Sequence, residues 1–392
     1  MPCWSQAPAS YDEGSDAERL DDRSILQGSE LKIILFCCFF LSLPGARAQT
    51  VVGETPAAIG IVFTGGGSFG AFEAGALQGF FDRWVRDHGV APPVRVIAGT
   101  STGALIGPFV ALGPDGVKEI ADLYQNTKRR DIFGLRAAVF LPFALFSKWS
   151  SSVYSADPLA RRLKDRLSDD RIRRIAGMWP GTRVVVLTTD FGSGRPALYS
   201  NASDEIAQGL ARIRDGVLAS ASTPLTTPPV YMRSNGTQTV QPHLDGGISE
   251  VAPFQALFDL ASQAPEIRLT HVIVISAYPL YPGSESKPAQ QKPFPVKPNF
   301  GEIGSRTGAL IAESSISKEI ALAWAAMSLR TAGMSAEKVQ ERTGLNIAYP
   351  PLELTILAPD GRLGWDTLRF DPNEMRVMFV RGLNAEPRAL IP

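Results

Sequence analysis

The chain of 392 residues carries no net charge, with 39 basic and 39 acidic side chains, and 44% of it is apolar. Lys and Arg are scattered rather than gathered into a stripe, so the electrostatic footprint of a nucleic-acid binder is missing and no polyanion partner is expected. Length alone allows about two domains, but the order of elements favours a single domain over residues 49–392.

Residues 1–30 are polar and acidic, with too few apolar side chains to build a core, and read as a disordered leader or a misassigned start. Peptides from residues 2–30 in a whole-cell digest would exclude the second reading. Lys32 then precedes an apolar run that ends in "ARAQT", the layout of a secretory signal over residues 31–48 with cleavage near Ala48-Gln49. The run is too short for a spanning helix of about 20 residues, so export to a periplasmic or extracellular location is expected. All three cysteines precede the cut, which suits an oxidising compartment.

From Ala57 the pattern is strand ("AIGIVFT"), glycine loop ("GGGSFG", 65–70) and a helix marked by Phe72, Ala76, Phe80 and Trp84. "PVRVIAG" is a second strand, followed by a helix from Ser101 to about Leu112. Further strands are expected at "TRVVVLTTD", "TVQPHLDGG", "LTHVIVISAY" and "LELTILAP". Helices are expected at "LARIRDGVLASAS", at "IAESSISKEIALAWAAMSLRTA" after a Pro- and Lys-rich loop (282–301), and from about Pro372. Such alternation implies an α/β chain with a parallel sheet and helices on its faces. "DIFGLRAAVFLPFALFSKWSSSVY" concentrates Phe133, Phe140, Phe143, Phe146 and Trp149 near Lys148; a buried helix pair is the favoured reading and a lid or membrane-dipping surface the alternative. The glycosylation sequons at Asn201 and Asn235 are read as chance matches.

Ser101 stands in "GTSTG", a Gly-x-Ser-x-Gly elbow in which Gly99 and Gly103 leave room for a tight strand-to-helix turn. A serine N-cap in a Gly-rich turn is the plain alternative. The consecutive glycines Gly65, Gly66 and Gly67 leave N–H groups free to converge on an oxyanion. Gly65, Gly67 and Gly70 also fit the dinucleotide fingerprint, but the second strand ends "VIAGTS", without the acidic residue that binds a ribose hydroxyl.

A base for Ser101 has few candidates. His88 reads as a helix C-cap and His271 as a strand-end residue. His243 sits two residues before Asp245, on the same face of an extended strand. Asp245 precedes Gly246 and Gly247, which allow a sharp turn that faces the carboxylate into a cavity, where partial desolvation raises its pKa; a plain Asp-Gly turn is the alternative. Asp190, in "DFGSG", reads as a turn.

In that order "GGGSFG", "GTSTG" and "DGG" resemble the three signatures of patatin-like phospholipases, and weaker similarity extends over roughly residues 57–385. The resemblance implies a three-layer α/β/α fold with a mainly parallel central sheet and a serine acyl hydrolase acting on lipid or phospholipid esters. It assigns Ser101 as nucleophile, Asp245 as base without histidine, and the amides of Gly66 and Gly67, with Gly65, as oxyanion hole. No metal and no cofactor are expected, since no cluster of ligating side chains is apparent, and transient membrane-surface contact goes with the lid or membrane-dipping reading of the aromatic stretch. The family's glycine loop usually carries Arg or Lys where this chain has Phe69, which weakens the expectation of an anionic headgroup. A lipid-binding protein without catalysis and a dinucleotide-dependent oxidoreductase are the rival functions.

Overall fold

The computed structural model describes residues 58–136, 150–178, 181–202, 212–233, 239–264, 267–280, 296–298, 300–350, 353–364 and 366–390. The leader and signal expectations, Phe140, Phe143, Phe146, Lys148 and Trp149, and Asn235 lie outside the described residues. The described residues all belong to one contact unit, Thr55–Pro392.

β1 (Ile59–Phe63) leads through a short 3-10 turn into α1 (Gly70–His88). β2 (Val94–Thr100) leads into α2 (Thr102–Ala111), followed by α3 (Pro114–Asn126) and a single turn, α4 (Arg129–Ile132). A small hairpin, β3 (Gly134–Leu135) with β4 (Tyr154–Ser155), precedes α5 (Asp157–Arg166) and α6 (Asp169–Ala176). β5 (Arg183–Asp190), β6 (Arg195–Ser200), α7 (Arg212–Ser220), β7 (Val230–Arg233), β8 (Val240–Asp245), α8 (Phe254–Ser262) and β9 (His271–Ile275) follow. The chain closes with α9 (Phe300–Thr331), α10 (Ala336–Thr343), β10 (Glu353–Leu357), α11 (Pro372–Leu383) and β11 (Arg388–Leu390).

The sheet has nine strands in the order β11-β10-β9-β1-β2-β5-β8-β7, with β6 paired to β5. The five strands from β10 to β5 are parallel, and the outer pairings are antiparallel. Parallel strands buried on both faces read as continuous apolar runs, and every residue of β1 and β5 is buried. In the β1/β2 register Gly60 stands beside Val96 and Ile61 beside Ile97. An added Cβ on Gly60 would touch Leu257 of α8, whereas Gly107 of α2 lies against Ile97. Since neighbouring residues alternate faces, α8 and α2 cover opposite faces, and the three layers follow.

Several elements differ from the sequence expectation. α9 starts at Phe300 rather than near Ile311, because its first turns are polar on too many sides to show a period. The short strands β6 and β7 carry mixed, partly exposed faces, which is why no apolar run announces them. β8 is antiparallel to β5, not part of the parallel core.

Candidate active site

Strand register brings the site together. Thr100, the last residue of β2, pairs with Leu187 of β5, and the next residue of β5, Thr188, pairs with Asp245, the last residue of β8. β2 and β8 therefore meet end to end along β5. Residues 145 positions apart in sequence become neighbours through one strand.

Ser101 follows Thr100 with φ 53° and ψ −117°, outside the regions that ordinary residues occupy. An added Cβ on Gly103 would lie 2.4 Å from the Phe63 Cβ, and one on Gly99 would lie 2.3 Å from the Gly103 carbonyl oxygen, so both elbow positions are closed to any side chain. The Ser101 side chain makes no capping bond to α2, which sets aside the N-cap reading. Its backbone N–H instead donates to the Ser220 Oγ at 2.8 Å, and the Ser220 hydroxyl donates to the Leu187 carbonyl. Nothing in the periodicity of "LASAS" marks Ser220 for this duty.

The Asp245 carboxylate accepts the Gly247 N–H at 2.8 Å and lies close enough to the Ser101 hydroxyl for that group to favour its charged form. Its own N–H donates to the Ser222 carbonyl at 2.9 Å, and the Thr189 hydroxyl donates to its carbonyl at 2.9 Å, so its backbone is held on two sides. Burial pushes its carboxyl up to about 6, against the opposing pull of the Gly247 N–H and the nearby Ser101 hydroxyl.

The other candidates are engaged elsewhere. His243 is fully buried, with Nδ1 at 3.1 Å from the Thr188 hydroxyl and Nε2 at 3.4 Å from the Tyr199 hydroxyl. His88 bonds the Trp84 carbonyl and stacks on that indole, and His271 faces Glu353 at 3.4 Å. Asp190 accepts the N–H groups of Gly192 and Ser193, a turn as read from the sequence. Asn201 is fully buried and its amide bonds Val184, Ile175 and Thr182.

The glycine loop lies beside the serine. An added Cβ on Gly65 would stand 2.8 Å from the Ser101 Cβ. The flanking N–H groups are committed: Thr64 to Ile275, Ser68 to Thr367 at 2.7 Å and Phe69 to Gly66. Among the described residues no acceptor takes the N–H of Gly65, Gly66 or Gly67. Gly67 has φ +56°, and an added Cβ there would lie 2.2 Å from the Thr367 carbonyl oxygen, so only glycine fits. Behind the loop the fully buried Glu73 accepts the Thr64 hydroxyl at 2.9 Å, and that hydroxyl oxygen accepts the Ala277 N–H at 3.1 Å. Burial holds the Glu73 carboxyl well above the usual range.

Phe69 is buried and stacks edge-on against Tyr278 at 6.0 Å, beside Gly364. The side chain at this position points into the protein. A buried phenyl ring therefore stands where the family's glycine loop usually carries a cation.

A cavity of ≈ 100 Å³ opens from Ser101 and Gly67 between α2, α3 and α5, with walls including Leu105, Phe109, Leu163, Leu368 and Phe370. Leu368 and Phe370 come from a strap near the C-terminus that also anchors the glycine loop through Thr367. Phe133, from the aromatic stretch, borders this pocket and packs edge-on against Phe370 at 5.7 Å.

The family profile described as patatin-like phospholipase matches residues 61–258, about half of the chain and a shorter span than the resemblance suggested. An uncharacterized protein of Bacillus subtilis (strain 168), YqhO, is 26% identical over 219 residues, 53% of this chain and 69% of that one. A putative patatin-like phospholipase domain-containing protein of Caenorhabditis elegans, M110.7, is 35% identical over 88 residues, 22% of this chain and 7% of that one. Among solved structures, VipD from Legionella pneumophila covers 86% of this chain and 68% of its own, with TM-score 0.39 and 12% identity.

Proposed function

The chain belongs to the patatin-like phospholipase family, and on that premise we propose that it is a serine acyl hydrolase releasing fatty acids from lipid acyl esters, phospholipids among them, through Ser101 and Asp245. The observation that carries this reading is the strand register that brings Ser101 and the buried Asp245 carboxylate together at the end of β5, beside a row of uncommitted glycine N–H groups. The carboxylate at Asp245 takes the hydroxyl proton as Ser101 Oγ bonds to the ester carbonyl carbon. The carbonyl oxygen becomes an oxyanion held by the amides of Gly66 and Gly67, with Gly65, and by the N-terminal end of α2. On collapse the ester C–O bond breaks and Asp245 returns the proton to the departing alcohol or lysolipid. Water, deprotonated by Asp245, then attacks the acyl-enzyme and releases the fatty acid, restoring the serine. The apolar pocket suits the acyl chain.

The test is fatty-acid release from phosphatidylethanolamine and phosphatidylglycerol vesicles, with soluble neutral esters in parallel and Ser101→Ala as control. Release that vanishes in the variant supports the reading. Turnover of neutral esters alone narrows it to other acyl esters. No turnover by folded protein overturns it in favour of a lipid-binding role.

A further inference from the structure

Resting on that reading of the site, we infer that the rim formed by α4, the β3/β4 hairpin and residues 223–226 is a docking surface for an anionic lipid bilayer, which presents substrate to the pocket mouth. Leu135 and Leu225 are 76% and 73% exposed. They belong to adjacent segments, a hairpin strand and a turn: Leu135 pairs with Tyr154, and the N–H groups of Val153 and Tyr154 donate to the carbonyls of Leu225 at 2.9 Å and Thr226 at 2.8 Å. The same segments reach the pocket, because Phe133 and Thr223 line it together with Ser101. Two large apolar side chains thus stand in water beside the entrance.

Leu225 is held at φ 63°, in the left-handed region that a bulky side chain rarely occupies. That conformation costs free energy, and an exposed leucine recovers none of it by packing in the folded chain. Strain that persists without internal compensation motivates a functional reading of the position.

Charge names the partner. Lys128, Arg129 and Arg130 are exposed on the same rim. Arg129 is fixed there by Tyr154, donating to its hydroxyl at 2.8 Å and lying 5.0 Å from its ring centroid. The nearby acid, Asp131, is taken by Arg162 at 3.0 Å. Among the described residues no carboxylate pairs with Lys128 or Arg130. The whole chain is neutral, so this is local orientation rather than general attraction. Apolar side chains that enter the interface, flanked by cations at headgroup level, match an anionic leaflet.

The test is vesicle co-sedimentation of the Ser101→Ala protein, which spares the lipid, on phosphatidylcholine vesicles with and without phosphatidylglycerol. Binding is expected only with phosphatidylglycerol and is expected to weaken as salt rises from 0.1 to 0.5 M, where screening shortens the reach of the cations. Lys128→Gln and Arg130→Gln should each lower the partition coefficient about fivefold. Leu225→Gly relieves the backbone strain, so it keeps or raises the melting temperature while binding falls. None of these residues lines the pocket, so turnover of a soluble ester by the same variants in the Ser101 background should be unchanged. Absent vesicle binding by folded protein, or binding indifferent to all three substitutions, overturns the docking surface. A concentration-dependent dimer lost in Leu225→Gly would instead assign the face to a second copy. Vesicle binding without any ester turnover would leave the docking surface standing and overturn the hydrolase reading, so the two fail separately.

Discussion

A serine becomes a nucleophile when its proton has somewhere to go, and in the function proposed for this chain the destination is Asp245, a carboxylate whose pKa burial has raised. With Asp245 pushed up to about 6, the base is protonated and idle in acid. kcat/KM is therefore expected to fall about tenfold per pH unit below 6 and to level above it. Asp245→Asn keeps the shape and most of the hydrogen bonding but cannot accept the proton, and should lose about 10²–10⁴ in kcat. A pH-rate profile on a soluble ester checks both, and a profile governed by a group near 7 that survives in Asp245→Asn would return His243 to the argument. The rest of the residue-scale machinery holds these two side chains in place: Ser220 fixes the strained serine backbone, and Ser222 and Thr189 fix Asp245.

At the scale of elements, the glycine loop is held between α1 and the C-terminal strap, and α1 is itself placed by a close crossing with α11. An added Cβ on Gly382 would stand 2.1 Å from the Phe72 carbonyl oxygen, and one on Gly75 would meet the Phe379 carbonyl oxygen at the same distance. The neighbours there are backbone atoms, which cannot swing aside. Gly382→Ala should therefore force the two helices apart and destabilise by about 1–3 kcal/mol, the usual cost of overpacking. A denaturant midpoint checks the first effect. Because α1 starts at Gly70, directly after the loop, kcat should drop more than substrate affinity; an unchanged midpoint with full activity would show that the crossing tolerates the methyl.

For the whole molecule, burial of several carboxylates makes stability depend on pH in one direction. Glu250 is pushed up to about 8 by burial, with Glu319 nearby adding to the effect; Asp245 stands at about 6, and Glu73 and Glu319 are raised. A group whose folded pKa lies above its unfolded value holds its proton more tightly when folded, so its contribution is full below the unfolded pKa, near 4, and is lost as pH rises through the folded one. The opposing case is Glu353, lowered by its bond to His271, whose contribution is lost as pH falls. The melting temperature is expected to decline from pH 5 to pH 8. Glu73→Gln keeps an acceptor for the Thr64 hydroxyl and cannot ionise, so its melting temperature should gain on the parent chain as pH rises; a parallel offset at all pH values would contradict this.

The elements in which local chemistry points one way were legible from the residues alone. β1, β5 and most of β2 are buried on both faces and carry apolar runs, Gly99 and Gly103 bracket the elbow because no side chain fits there, and "DGG" marks a sharp turn after a carboxylate. The strands with mixed faces, the full length of α9 and the antiparallel direction of β8 were not legible, since partly exposed or short segments carry no period. Which acid or histidine lies near Ser101 depends on tertiary structure, not on any local stretch. Pairing of both Thr100 and Asp245 with consecutive residues of β5 is a long-range fact of register, and the inward path of Phe69 and the supporting bonds of Ser220 and Glu73 depend on neighbours brought from far along the chain. Motif chemistry is local and so is written in short stretches of sequence; distance between side chains is set by packing, which the order of residues encodes only through the fold.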